Sequence, residues 1–164
     1  MSPRAAWRLE ALGFTDVYDF VAGKTDWFAC GHPREGAAAD VPWVGDLLLE
    51  GVVTCRIGAR LEEVSELASG GDPDFCVVVN EERVVAGVLR SNDLSKDSSS
   101  RVEDVMELGP RTIRPGQPVE KLLAKRSSHG VKSWIVTTAH GELLGVVARR
   151  DLERALEGVE QPDA

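Results

Sequence analysis

Two short stretches carry the same arrangement of residue types, GVLRSND from Gly87 to Asp93 and GVVARRD from Gly145 to Asp151, with a glycine six positions before an aspartate in each. Glycine lets a strand backbone come close to a flat ligand, and the apolar pairs Val88-Leu89 and Val146-Val147 return to the core. A carboxylate at the start of the following helix can accept hydrogen bonds from a diol, as a ribose offers. The first turn of such a helix also presents free N–H groups and partial positive charge to a phosphate. Asp93 and Asp151 have a second reading as N-terminal helix caps, which is stabilising by about 1 kcal/mol with no ligand at all.

Other reactive side chains form no comparable pattern. Cys30, Cys55 and Cys76 are odd in number and contain no CxxC pair, and His32, His129 and His140 have no HExxH spacing. Buried or idle thiols are the expectation, with no metal and no nucleophile.

The elements that must position these residues come in two copies. Sliding the chain by 58 positions superposes Val44 on Val102, Asp46 on Asp104, Gly51 on Gly109, Thr54 on Thr112, Arg56 on Arg114, Gly58 on Gly116 and Glu62 on Glu120. The same register continues through Ser69 on Ser127, Val78 on Val136, Gly87 on Gly145, Val88 on Val146, Asp93 on Asp151 and Leu94 on Leu152. Such self-similarity marks an internal repeat.

Each copy predicts one helical turn (Val44 to Leu48; Val102 to Met106) and a short strand (Val52 to Cys55; around Thr112 and Ile113). Long helices follow at Leu61 to Ser69 and Val119 to Ser127, the second with Pro118 as its first residue. Hairpins follow, Cys76 to Val79 with Val84 to Leu89, and Trp134 to Thr137 with Glu142 to Val147. Closing helices begin at Ser91 and Arg149. The order is β-α-β-β-α twice, an α/β (α+β) fold in which neither half can hide its apolar face alone, so the two should pack as one pseudo-symmetric unit.

The repeated order, with its glycine and aspartate, resembles the CBS domain, which occurs in tandem pairs called Bateman modules. The resemblance runs from Val41 to about Leu156 and divides the chain into repeat 1 at 41–98 and repeat 2 at 99–157, with a loose tail at 158–164. It implies AMP, ATP or another adenosyl ligand in the cleft between the repeats. Where the family pattern has Thr or Ser, this chain has Arg90 and Ala148: Arg90 either reaches a phosphate or plugs the cleft, while Ala148 leaves space. The expected walls are Thr54 and Cys55, Thr112 and Ile113 on the first strand of each copy, and Cys76, Val77, Trp134 and Ile135 where a base would rest. Trp134 also reads as core. Arg56, Arg114, Lys132, Arg149 and Arg150 are the nearby cations. The adenosyl ligand is expected beside Asp151, with Gly145, Val146, Ala148, Arg149 and Arg150, rather than beside Asp93, Gly87 and Arg90.

Residues 1–40 read as a helix from Ser2-Pro3 to a stop at Gly13, a short strand at Asp16 to Phe20, a second helix from Gly23 carrying Trp27, and a linker at Gly36 to Asp40. From Pro3 to about Glu35 the stretch resembles the C-terminal end of a rhodanese-like domain. In that family the catalytic cysteine stands in a loop before this region, whereas Cys30 lies within it, after the GKTDW stretch that ends at Trp27, so no sulfur-transfer machinery is expected. A degenerate sulfurtransferase with an appended regulator is the alternative function. A ligand-free structural dimerisation module is another.

The 164 residues are 43% hydrophobic and 28% charged, which excludes disordered, collagenous and disulfide-scaffold classes. The formal charge of −8 disfavours nucleic acid. Apolar runs are too short to cross a bilayer, and the N-terminus lacks a signal-like stretch, so a cytoplasmic protein without membrane partners is expected. A homodimer through Leu61, Val64, Leu67, Val119, Leu122 and Leu123 is expected from the apolar helix faces.

Overall fold

Runs of β-branched residues nucleate the strands of the computed structural model, which describes residues 3–21, 23, 27, 32–36, 41–49, 51–68, 75–94, 99–125 and 129–159. β1 (Thr54–Arg56), β2 (Phe75–Val79), β3 (Val85–Arg90) and β4 (Glu107–Leu108) form one sheet in that order. β5 (Thr112–Ile113), β6 (Ser133–Thr137) and β7 (Leu143–Ala148) form the other. The first pairing in each sheet is parallel and the hairpin is antiparallel. The repeat is visible in the register itself. Val78 faces Gly87 and Val136 faces Gly145, and each hairpin slips by one residue just after that pair.

β2 and β6 are buried along almost their whole length because both faces are covered, which is why they read as unbroken apolar runs. One face of each sheet packs on helices. α2 (Leu61–Ala68), α3 (Ser91–Leu94) and α4 (Val102–Val105) belong to the first sheet's side, with Leu61, Val64, Cys76, Val78, Leu89 and Val102 in its core. A 3-10 turn (Val44–Leu47), α5 (Val119–Leu123) and α6 (Arg149–Val159) serve the second, around Val44, Val119, Leu122, Trp134, Val136 and Leu152. The opposite faces meet each other through Val77, Val79, Val88, Ile135, Leu143 and Val146.

The two copies exchange their first turns. Val102, which opens the second copy in sequence, is packed in the core of the first sheet, and Val44, which opens the first copy, is packed in the core of the second. The segments after these turns follow suit. β4 adds to β3, and its counterpart Leu49 donates its N–H to the Val146 carbonyl at 2.8 Å. A repeat boundary drawn at residue 98 therefore divides the sequence and not the packing.

α1 (Pro3–Ala11) ends as expected before Gly13, whose φ of +94° favours glycine. Residues 16–20 form no strand: they have no ladder partner among the described residues, and an extended segment without one gains no pairing energy. Gly23 and Trp27 lie in helix, while Ser2, Cys30 and residues 37–40 fall outside the described residues. Pro118 caps α5 instead of opening it, α5 spans five residues where a long helix was expected, and β4 has no counterpart in the sequence reading. α6 continues through Gly158 and Val159, so the loose tail does not begin at 158, and residues 160–164 lie outside the described residues. Residues 95–98, where the first copy passes into the second, lie outside the described residues.

The helix side chains expected to form a dimer face are already used. Leu61, Val64, Val119 and Leu122 are buried within the chain, Leu123 is packed against the second core, and the side chain of Leu67 lies outside the described set. The exchanged turns supply the cover that the sequence reading assigned to a second copy.

Candidate ligand cleft

A cleft of about 890 Å³ opens where the first sheet meets the start of the second. Thr112 and Ile113 reach it from β5, and Trp134 and Ile135 from β6. The other wall comes from the first sheet, with Phe75, Val88 and Arg90, and from β4 with Glu107. The strands expected around Asp151 thus face Arg90 of the other copy's motif. Asp151 lines neither this cleft nor the smaller one, because the sheets pack face to face and bring the first strand of one copy to the motif of the other.

The smaller cavity, about 610 Å³, takes Thr54 and Gly145, with Asp46, Leu49 and Arg83. Cys55, Val77, Gly87, Asp93, Val146, Ala148, Arg149 and Arg150 line neither cavity.

Arg90 does not plug the larger cleft. Its Nε donates to Glu107 Oε2 at 3.0 Å, and both side chains are more than half exposed at the mouth. Asp93 accepts the Arg90 backbone N–H at 3.0 Å on Oδ2, the local hydrogen bond of a capping carboxylate. Asp151 behaves differently. Oδ1 has Arg154 at 3.4 Å and Arg150 at 3.7 Å, while Oδ2 is buried without a hydrogen-bond partner.

Arg149, expected to meet a phosphate, is held inside the fold. Its Nε donates to the Val131 carbonyl at 2.8 Å, Nη1 reaches Glu153 at 3.3 Å, and the guanidinium lies 5.2 Å from the Trp134 ring centre. Trp134 is buried in the second core and also lines the cleft. Arg114 donates to the Thr137 hydroxyl and, at 3.4 Å, to the Thr137 carbonyl. These partners are neutral and do not offset its charge.

Arg111, Lys125 and Lys132 complete a lining of five cations against one carboxylate, Glu107. Gln117 lines the same cleft, and its Nε2 is buried without a partner, a donor whose burial costs about 1–3 kcal/mol until an acceptor arrives. Arg111, Lys125 and Gln117 were absent from the sequence reading. Their sign was readable, but their convergence depends on how the β4–β5 connection and α5 are placed.

The motif glycines serve packing. A Cβ on Gly87 would stand 2.6 Å from Met106 Sδ and 2.9 Å from the Glu107 carbonyl, whereas one on Gly145 would meet the Leu49 carbonyl at 3.4 Å. What needs the bare backbone at Gly87 is the exchanged segment, not a ligand. Cys55 and Cys76 are buried free thiols; the hydrogen bond that the Cys76 thiol donates to Cys55, together with burial, pushes the Cys76 thiol far up, which leaves it inert as a nucleophile. Among the described residues no group of three or more His, Cys, Asp or Glu could hold a metal, and no helix is long and apolar enough to cross a membrane.

With this geometry in place, the family model described as "CBS domain" matches residues 102–158. The cytosolic domain of the Mg2+ channel MgtE, solved in complex with ATP, is similar at 25% identity and TM-score 0.61, over 72% of this chain and 51% of that one. The CBS domain pair of protein MJ0100, solved with 5′-methylthioadenosine and S-adenosyl-L-methionine, is similar in fold at 20% identity and TM-score 0.59, over 74% of this chain and 99% of that one. A homoserine O-acetyltransferase of Methanohalobium evestigatum is 25% identical over 118 residues, 70% of this chain. The chain spans about a quarter of the length of that relative (24%).

Proposed function

The chain carries a CBS domain pair, and from that premise we propose that it is a regulatory, non-enzymatic module that binds an adenosyl compound in the cleft between its repeats. The observation that carries this reading is the larger cleft. It has the volume of a nucleotide site, apolar and aromatic walls from Phe75, Val88, Trp134 and Ile135, and cations at one side. A base would rest against Trp134 and Ile135, near Thr112 and Ile113. That similar CBS pairs were solved with ATP, and with 5′-methylthioadenosine and S-adenosyl-L-methionine, supports the same reading.

This reading moves the ligand from Asp151, where the sequence placed it, to the cleft that contains Arg90. Isothermal calorimetry with AMP, ATP, NAD and S-adenosylmethionine tests the proposal: saturable binding of one of them supports it, and no binding by any of the four removes it. The homodimer expected from the sequence stands as a proposal too. Sedimentation at micromolar concentration showing only a 17.8 kDa species would remove that part.

A further inference from the structure

The 58-residue repeat allows the lining of the larger cleft to be compared with its counterpart positions in the other copy's sequence, and the charges have diverged. Around the larger cleft stand Arg90, Arg111, Arg114, Lys125 and Lys132. Their sequence counterparts in the other copy are Ala148, Val53, Arg56, Leu67 and Asp74, so one cation of five is kept and one is replaced by an acid. The two cations particular to the second motif do not make up the difference. Arg149 is bound to the Val131 carbonyl and Glu153, and Arg150 lies 3.7 Å from Asp151.

Gathering five cations around one cleft, in a chain whose formal charge is −8, runs against the ordinary interspersing of surface charge. Glu107 answers only one of them directly, through Arg90. A ligand with several negative charges relieves that repulsion, and it also offers the acceptor that buried Gln117 Nε2 lacks. A single phosphate answers fewer of these cations than a polyphosphate does, and a neutral or cationic adenosyl compound answers none.

We propose that the larger cleft is a polyphosphate site, and that of the two pseudo-equivalent positions it alone takes a polyphosphate, the counterpart around Thr54, Arg56 and Ala148 taking none. For its nucleoside half the inference rests on the adenosyl reading above. The mouth pair is part of the site: Arg90 exchanges Glu107 for a ligand phosphate.

Calorimetry with ATP, AMP, 5′-methylthioadenosine and inorganic triphosphate, at low and at moderate salt, tests it on the full chain. The expected result is one ATP per chain, ATP tighter than AMP and AMP tighter than 5′-methylthioadenosine, with only the phosphorylated ligands weakened by salt. Arg111→Ala and Lys125→Ala, both on exposed side chains, should each weaken ATP by about tenfold and leave 5′-methylthioadenosine little changed. Arg56→Ala, in the other copy, should leave ATP binding as it was.

Two equivalent ATP sites, or loss of ATP affinity in Arg56→Ala equal to that in Arg111→Ala, would overturn the single site. 5′-Methylthioadenosine binding as tightly as ATP would overturn the polyphosphate claim while leaving the adenosyl reading intact. Triphosphate binding as tightly as ATP would do the reverse. No binding by any of the four would remove both.

Discussion

Arg90 and Glu107 face each other across the mouth of the larger cleft, Nε to Oε2 at 3.0 Å, although 17 positions separate them and they belong to different copies of the repeat. The pair exists because the exchanged segment of the second copy adds β4 to the edge of β3. Glu107 is the one acid in the lining, so it competes with an anionic ligand for Arg90. Glu107→Gln should strengthen ATP binding by about two- to fivefold, the size of an exposed ion pair released, and calorimetry reads it directly. Weaker binding in this variant would show that Glu107 holds Arg90 in place for the ligand.

The motif glycines should respond unequally to the same substitution. Gly87→Ala places a methyl group against Met106 Sδ and the Glu107 backbone, and should cost about 1–3 kcal/mol through displacement of β4. Gly145→Ala meets its nearest neighbour at 3.4 Å, ordinary contact, and should cost less than about 1 kcal/mol. Urea unfolding of the two variants tests the contrast, and equal losses would contradict it.

Arg83 has φ +61°, and its counterpart in the second copy is Gly141 with φ +89°. The two hairpin turns touch: Leu143 N–H donates to the Arg83 carbonyl at 2.8 Å and Val85 N–H to the Gly141 carbonyl at 3.0 Å. A left-handed backbone at a residue with a Cβ costs about 1–2 kcal/mol. Arg83→Gly keeps the carbonyl and removes that strain, so thermal unfolding should shift upward by an amount equivalent to about 1 kcal/mol. A downward shift would mean that the Arg83 side chain contributes more than its backbone costs.

Glu103 links the copies by accepting the Gly58 N–H on Oε2 at 2.8 Å. Hydrogen bonds from its own backbone and from Gly58 hold its carboxyl below the usual 4.5, with Arg101 adding to them. A carboxyl whose folded pKa is depressed contributes stability above its unfolded pKa and loses it as pH falls through the folded value. The melting temperature should therefore fall below about pH 4.5, and part of that fall should vanish in Glu103→Gln. An unchanged acid limb in the variant would remove Glu103 from the pH dependence.

The sequence by itself determined the repeat, the order of elements within it and the faces that must be buried. Periodicity and β-branched runs are local signals: Val78 and Val136, Gly87 and Gly145 keep one register because each copy meets the same local constraints. The motifs and the chemistry they could perform were legible for the same reason. Which motif faces which strand was not. Thr112 and Trp134 stand near Arg90 in the sheet packing, while their own copy's Asp151 turns to Arg154 and Arg150. The exchange of Val44 and Val102 between cores is equally silent in sequence, because either turn would satisfy either core with a valine of the same size. Only the tertiary structure decided those pairings. They follow from the burial of two sheets against each other, a non-local free energy shared by residues far apart in the chain, and they placed the cations of the β4–β5 connection and of the segment after α5 around one cleft.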